Sequence, residues 1–333
     1  MKSPITGKNM PLKAEKKTMS FRKEDFEIVY RYYYCAASDS QFTTTELDEL
    51  NTIQVYHLYR QNHGLPFPED IKRIREKYGL SQRKMSQVLG VGINTYGAYE
   101  KGEVPSDSIG NLIQLADDPK TFERLVIQSP VLEKKSKEKL LQKVKKVVKA
   151  EKERKFESKF QEYLFLEEEP EEYSGFRRPS MPKMMEMVTY FAHELQPWKT
   201  QLNKLLFYAD FETYRKTGYS MSGTRYRAIP YGPVPYKYQS LFEYMIDKDV
   251  VNINYQEFSN GEGEQFIPSP NKSFDAELFS EEELTILSRV AETFKDTRTQ
   301  DLIDISHQER GWQKNKDKNQ LINYKYAFYL KGV

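Results

Sequence analysis

The chain has almost no cysteine. Cys35 is the only one in 333 residues, which excludes the disulfide framework that staples small secreted domains. Long apolar runs are missing as well, and nowhere do the roughly eighteen consecutive apolar residues of a membrane helix occur. Lys2, Pro4, Lys8 and Lys13, with few apolar neighbours, give the N-terminus none of the apolar core of a signal peptide. A cytoplasmic protein is therefore expected, with no membrane contact. Charge of one sign is also lacking: 51 Lys and Arg stand against 49 Asp and Glu, a formal net charge of +2. Any nucleic-acid surface must come from local clustering of charge. What is abundant is the aromatic side chain, with 24 Tyr and 19 Phe. Together with 38% hydrophobic residues over this length, that predicts two or three folded units, neither one ordinary core nor a disordered chain.

The opening MKSPITGKNM and the later YYYCAASDS place Ser3, Thr6, Cys35 and Ser38 at the spacing by which a zinc ribbon brings two ligand pairs onto one ion. One thiol cannot hold zinc. Between these stretches, the alternation in FEIVYRYYY predicts a strand, ASDS a turn and QFTTT a second short strand. TELDELN then opens a helix with Thr45 as its N-cap. This frame, with its ligands replaced, resembles the N-terminal zinc-ribbon module of MqsA-type antitoxins. Two readings follow: a residual metal site using Cys35 with His57 or His63, or an aromatic core of Phe21, Phe26, Tyr30, Tyr32 and Phe42 that took over the burial. The second is preferred, and no metal is expected.

From Pro66 to Gln128 the helical signals are dense. Ile71, Ile74 and Tyr78 share one helical face, Gly79 ends that helix and Ser81 caps the next. Met85, Val88 and Leu89 then face inward, GVG turns the chain, and a helix is predicted from Ile93 to Tyr99 before a stop at Gly102. Two short helices joined by a glycine-containing turn make a helix-turn-helix. The run LSQ, VLGVG, TYGAYEKG is similar to the Xre (lambda-repressor-like) family, in which the second helix of the pair enters the major groove. The resemblance implies a DNA-binding set of Gln82, Arg83, Lys84, Gly92, Ile93, Asn94, Thr95, Ala98 and Lys101. Within it Asn94 is suited to pair with adenine and Ile93 to touch a thymine methyl, while Tyr96 and Tyr99 fall in the core. Lys72, Arg73, Arg75, Lys77, Arg83 and Lys84, with only Glu76 among them, read as a local phosphate-facing patch.

The next stretch is a basic connector. Between Glu133 and Lys159 twelve Lys and Arg stand against five Glu, with Leu140, Leu141, Val144, Val147, Val148, Phe156 and Phe160 recurring at helical intervals. Its apolar stripe offers a surface for self-association, and Pro170 and Gly175 mark its end. Beyond it come LNKLLFYADFETYRKTGYSMSG, YRAIPYGPVPYKYQSLFEYM and DLIDISHQERGWQ. The strand TRYRAI and the helix PYKYQSLFEYM flank YGPVP, which predicts a rigid exposed turn at Gly232 and Pro233. In that order these pieces resemble the Panacea (SocA-like) antitoxin domain. The resemblance implies a partner-binding set of Tyr208, Asp210, Tyr214, Arg227, Tyr231, Gly232, Pro233, Tyr236, His307 and Trp312.

The sequence thus predicts a multidomain chain, mainly α with small β elements. Its parts are a ribbon-like module (1–65), a five-helix lambda-repressor-like headpiece (66–128), a charged helical connector (129–177) and an α+β Panacea-like domain (178–333). The combined resemblances imply a type II antitoxin with no catalytic residues and no cofactor. Its expected partners are a cognate protein toxin, operator double-stranded DNA and a second copy of itself. Two alternatives stay open: a transcription regulator or protease-delivery adaptor without a toxin, and an enzyme using His307 with Asp210 or with Glu309.

Overall fold

The computed structural model describes residues 1–166, 169–258 and 261–333, with backbone alone for 149–161. The chain is mainly helical with small antiparallel sheets, and it separates into two compact units. One gathers Met1–Met19, Glu27–Gln54 and Gln161–Val333; the other gathers Ser20–Phe26 and Val55–Phe160.

The second unit is built from α2 (Pro68–Lys77), α3 (Gln82–Leu89), α4 (Thr95–Glu100), α5 (Asp107–Leu115) and α6 (Pro119–Gln128). Local chemistry sets their ends. Ser81 accepts from Lys84 N to start α3, and Gly90, at φ 69°, stops it in the left-handed region that a Cβ disfavours. The expected inward residues Ile71, Ile74, Tyr78, Met85, Val88, Leu89, Tyr96 and Tyr99 are all buried in one cluster. Tyr78 stacks on Phe122 at 3.7 Å and donates to Ala116 O at 2.8 Å, so its ring and its hydroxyl are both satisfied. Tyr96 donates to Ile71 O at 2.7 Å. Arg22 reaches the same unit from a hairpin tip, donating to Val104 O and Pro105 O.

The connector is one helix, α7 (Lys134–Phe165). Its apolar stripe does not face outward. Leu140 and Val144 are buried against the α2–α6 cluster, with Leu141, Val147 and Val148 packed on its margin. That part of the stripe is covered by the chain's own headpiece, which corrects its reading as a self-association surface; Phe156 and Phe160 lie outside the described side chains.

In the first unit, β1 (Leu12–Phe21), β2 (Glu24–Cys35) and β3 (Ser40–Phe42) form a sheet in that order. Strand β1 gave no signal in the sequence because it is a lysine-rich, largely exposed edge, the composition that blunts edge pairing. Strand β3 pairs with β2 only from Tyr33 to Cys35, so the backbone earlier in β2 needs other partners. Helix α1 (Thr45–His63) supplies them. Gln54 accepts from Val29 N and donates to Val29 O, and Asn51 does the same for Arg31, all within 3.1 Å. Each amide side chain stands in for a missing strand. The helix starts one residue earlier than expected, with Thr44 Oγ1 taking Leu47 N.

The rest of that unit wraps around α9 (Lys199–Thr217), buried without interruption from Leu202 to Tyr214. Helices α8 (Met181–Leu195), α10 (Tyr238–Asp247), α11 (Glu281–Phe294), α12 (Thr299–His307) and α13 (Arg310–Asn315) surround it, with hairpins β4–β5 (Tyr226–Ile229, Gly232–Pro235) and β6–β7 (Val251–Phe258, Gly261–Pro268). A helix buried all round must satisfy its own polar groups. Asp210 accepts from Ser222 N, Ser222 Oγ and Tyr226 Oη at 2.6–2.7 Å, and Glu212 is paired with Arg215 and Arg289. Residues 161–177 pack here too: Arg225 donates to Phe165 O and Glu171, and Ser220 to Ser174 O.

Where a strand, an exposed turn at Gly232–Pro233 and a helix were expected, the chain makes a hairpin. The turn lies at Pro230–Tyr231, and Gly232–Pro235 form its second strand, with Ile229 opposite Gly232. Gly232 and Pro233 are buried. Because α9 takes no part in solvent, Leu205→Ala is expected to lower unfolding stability by about 2–5 kcal/mol, read by thermal or denaturant melts. A loss under about 1 kcal/mol would mean that α9 is not the centre of this core.

Candidate DNA-facing and partner-facing surfaces

On the headpiece, α3, the Gly92–Asn94 turn and α4 enclose a shallow hollow of about 440 Å³ lined by Gln82, Arg83, Ile93, Asn94, Gly97, Ala98 and Lys101. Six of the nine residues expected to meet DNA line it; Lys84, Gly92 and Thr95 flank it. Ile93 is 47% exposed although apolar, and Asn94 is exposed at the start of α4 without capping it.

Gly97 was missed by sequence reasoning. A Cβ there would sit 2.8 Å from Gln82 Oε1, so glycine lets the Gln82 side chain lie across α4. Gln82 Nε2 then donates to Glu100 Oε2 at 2.6 Å, and Glu100 also holds Arg75. The available signal was a glycine inside a short helix, which costs about 1 kcal/mol relative to alanine and calls for a packing reason.

The charge pattern is smaller than the sequence implied. Arg73 is bidentate to Asp117 at 2.6 and 3.1 Å, Lys77 also takes Asp117, and Arg75 takes Glu100 and Leu80 O. These three are engaged within the headpiece, although Arg73 stays exposed. Lys72, Arg83, Lys84 and Lys101 stay at least partly exposed, and Arg83 and Lys101 line the hollow. The carboxylates that neutralise the others are 25 to 44 residues away in sequence, beyond any local charge count.

In the C-terminal part the ten expected residues separate into two sets. Tyr208, Asp210 and Tyr214 are interior, at 0–3% exposure. Tyr208 donates to Glu309 Oε1 at 3.1 Å, and Glu309 also accepts from Lys331 N and Gly332 N. Burial raises the Asp210 and Glu309 carboxyls above their ordinary values. The hydrogen bonds of these two carboxylates go to Ser222 and Tyr226 and to Tyr208, Lys331 and Gly332. The other seven meet around hairpin β4–β5. Tyr231, at the turn, is 67% exposed. Arg227 lies 4.7 Å over the Tyr236 ring. Trp312 Nε1 donates to Ile229 O at 2.8 Å, and His307 stacks on Trp312 at 3.8 Å.

Gly232 explains why the hairpin lies so close to α9 and α12. Its φ is 101°, and a Cβ would fall 2.5 Å from Ser306 Oγ and 2.6 Å from Lys204 Cε. Lys204 is buried with its Nζ 3.4 Å from Pro233 O, and burial pulls its ammonium down to about 7. Pro233 marks the site from the other side, because a residue without an N–H is tolerated in this short strand.

At the N-terminus the four ribbon-spaced positions converge. Thr6 Oγ1 lies 3.3 Å from Cys35 Sγ, and the hydroxyls of Ser3, Ser38 and Thr6 hold the thiol down to about 6 from its ordinary 9.0. Three neutral hydroxyls and one thiol do not fit zinc, which takes thiolate, imidazole or carboxylate. His63 is engaged by Glu24 at 2.7 Å and stacks on Tyr59, and burial holds His57 well below its ordinary value. Among the described residues no group of three or more His, Cys, Asp or Glu is placed to hold a metal ion. Likewise, no helix among them is long and apolar enough to cross a membrane.

Comparison with known proteins finds two antitoxin likenesses in separate parts of the chain. Residues 1–124 match the family described as the antitoxin component of a bacterial toxin-antitoxin system, MqsA. Residues 202–313 match the family described as antitoxin SocA-like, Panacea domain. A stretch of 51 residues is 37% identical to antitoxin MqsA of Escherichia coli (strain K12), covering 15% of this chain and 39% of that protein. The chain therefore spans about two-fifths of the curated relative it matches.

The hydroxyl cage around Cys35 has a measurable consequence. Above about pH 6 the native thiol is ionised, while the unfolded chain holds the proton until about pH 9. The unfolded state thus binds more protons between these values, so stability rises with pH across the window and this contribution is lost below about pH 6. Thiolate absorbance should titrate near pH 6 in the wild type and at clearly higher pH in Thr6→Val or Ser3→Ala. An unchanged midpoint in both variants would show that the hydroxyls are not the cause.

Proposed function

We propose that the chain is the antitoxin of a type II toxin-antitoxin pair: it neutralises a cognate protein toxin by direct binding through its C-terminal domain and represses its own operon through the α3–α4 helix-turn-helix. The observation that carries this reading is the presence of two different antitoxin likenesses, at 1–124 and 202–313, in one chain. In this reading the N-terminal module is a ribbon frame that has lost its metal, with the Cys35 cage in the ion's place. Residues 66–128 are an Xre-type headpiece. Lys84 and Arg83 meet phosphate, Asn94 and Ile93 read base edges from the hollow, and Gln82, fixed by Glu100 and Gly97, positions α4.

The headpiece acts as a homodimer on paired half-sites, as helix-turn-helix repressors do. Neutralisation is stoichiometric burial of a toxin surface with no chemical step. It uses the hairpin set around Tyr231, Arg227 and Tyr236, an exposed ring flanked by a stacked guanidinium, the side chains that dominate interface hot spots. Tyr208, Asp210 and Tyr214 serve that surface from beneath, by holding α9 against the hairpin.

The test is expression of any small open reading frame found beside this gene, alone and together with the chain. Growth arrest relieved by the full chain, with the two proteins co-purifying, is expected. Arrest with no rescue and no complex would overturn the antitoxin reading in favour of a regulator without a toxin. Tyr231→Ala should cost about 2 kcal/mol or more of partner affinity with the melting curve unchanged. On DNA, Asn94→Ala should cost about 1–3 kcal/mol at the operator and little on random duplex, whereas Lys84→Ala should weaken both and lower the salt slope by about one. Equal losses on specific and random DNA for Asn94→Ala would remove the groove assignment.

A further inference from the structure

At the β4–β5 hairpin, Arg227 and Lys237 are paired with rings instead of carboxylates. Lys237 Nζ lies 4.7 Å from the Tyr163 ring centroid and 5.4 Å from that of Tyr236, and the Arg227 guanidinium lies 4.7 Å from Tyr236. Tyr163, Lys237, Tyr236 and Arg227 thus alternate ring and cation in one continuous ladder. Among the described residues neither cation of the ladder is in an ion pair, and Arg227 Nε is buried without a hydrogen-bond partner. The pattern continues beside β4, where Lys316 lies 4.9 Å from the Trp312 ring and Trp312 is fixed to Ile229 O. From Arg310 to Lys331 six Lys and Arg stand against Asp317 alone. In the headpiece, by contrast, Arg73 and Arg75 are held on carboxylates.

A ring holds a cation in place without neutralising it. The contact is worth about 0.5–1 kcal/mol at an exposed site, and it leaves the cation's charge uncompensated. An arriving carboxylate meets pre-positioned donors and displaces no internal partner, which lowers the cost of ordering the interface and steers the encounter. We propose that the surface received at this hairpin is an acidic patch of a protein partner, whose carboxylates seat on Arg227 and Lys237 while the exposed Tyr231 packs beside them. This deepens the neutralising-surface reading above and rests on it for the partner's biological role. Nucleic acid is the weaker fit, because base stacking needs uncovered ring faces, and here the Tyr236 and Trp312 rings already carry cations.

The experiment titrates the full-length chain with fluorescein-labelled oligoglutamate by fluorescence anisotropy, which requires no toxin. Arg227→Gln with Lys237→Gln should weaken binding about tenfold, while Lys139→Gln with Lys145→Gln, the same charge taken from exposed positions of α7, should change it less than about twofold. The conservative pair Arg227→Lys with Lys237→Arg should retain most of the affinity. Melting curves check folding, and the single variant Lys237→Gln serves if the double variant is unstable. Equal losses at the hairpin and on α7, or no loss at either, would overturn the proposal. So would an oligothymidylate of matched charge that outcompetes oligoglutamate and is lost with the same hairpin variants, which would make this a nucleic-acid surface. Failure of toxin rescue with a positive titration removes only the antitoxin role; rescue with a flat titration removes only the acidic assignment.

Discussion

The C-terminal unit depends on how one helix is kept dry. Helix α9 is buried from Leu202 to Tyr214 and carries Lys204, Asp210 and Glu212 into the interior. A buried charge without partners costs several kcal/mol, so everything packed on α9 has to bring hydrogen bonds as well as apolar area. Ser222 and Tyr226 answer Asp210, Arg289 and Arg215 answer Glu212, and the β4–β5 strand answers Lys204 with the Pro233 carbonyl. The hairpin therefore sits where it does partly because a lysine beneath it needs an acceptor. A presumed contact surface and a solvation requirement are set by the same few atoms.

The two candidate surfaces handle charge by opposite means. In the headpiece, α2 spends Arg73, Arg75 and Lys77 on internal carboxylates, leaving a sparse set of free cations and an apolar Ile93 around the hollow. Such a surface relies on fit and on a few base contacts more than on a broad phosphate field. Around β4–β5, by contrast, rings support the cations and their charge stays available. Neither arrangement follows from the near-neutral composition of the whole chain.

Much of the fold was legible because it rests on short-range rules. The α2, α3 and α4 helices follow from apolar spacing, the Ser81 cap and the glycines at 79 and 90, all within a turn or two of each other. What escaped was decided at long range or by what is not hydrophobic. Strand β1 is written in lysine, and β6–β7 is largely exposed, so neither shows the alternation of a half-buried strand. The pairing of Arg73 and Arg75 depends on Asp117 and Glu100 folding back onto α2. Tyr208, Asp210 and Tyr214 entered the partner-binding set through the Panacea resemblance; only the all-round burial of α9 shows that they face neighbours of their own.

Gly232 lets two demands coexist one peptide bond apart. The residue has no room for a side chain because Ser306 and Lys204 press against it, whereas its predecessor Tyr231 stands in open solvent. Substitutions at 231 therefore act on what the hairpin touches, and substitutions at 232 act on whether the hairpin forms. A scaffold of this kind can change the company it keeps by exchanging one exposed ring, while its interior stays blind to the change.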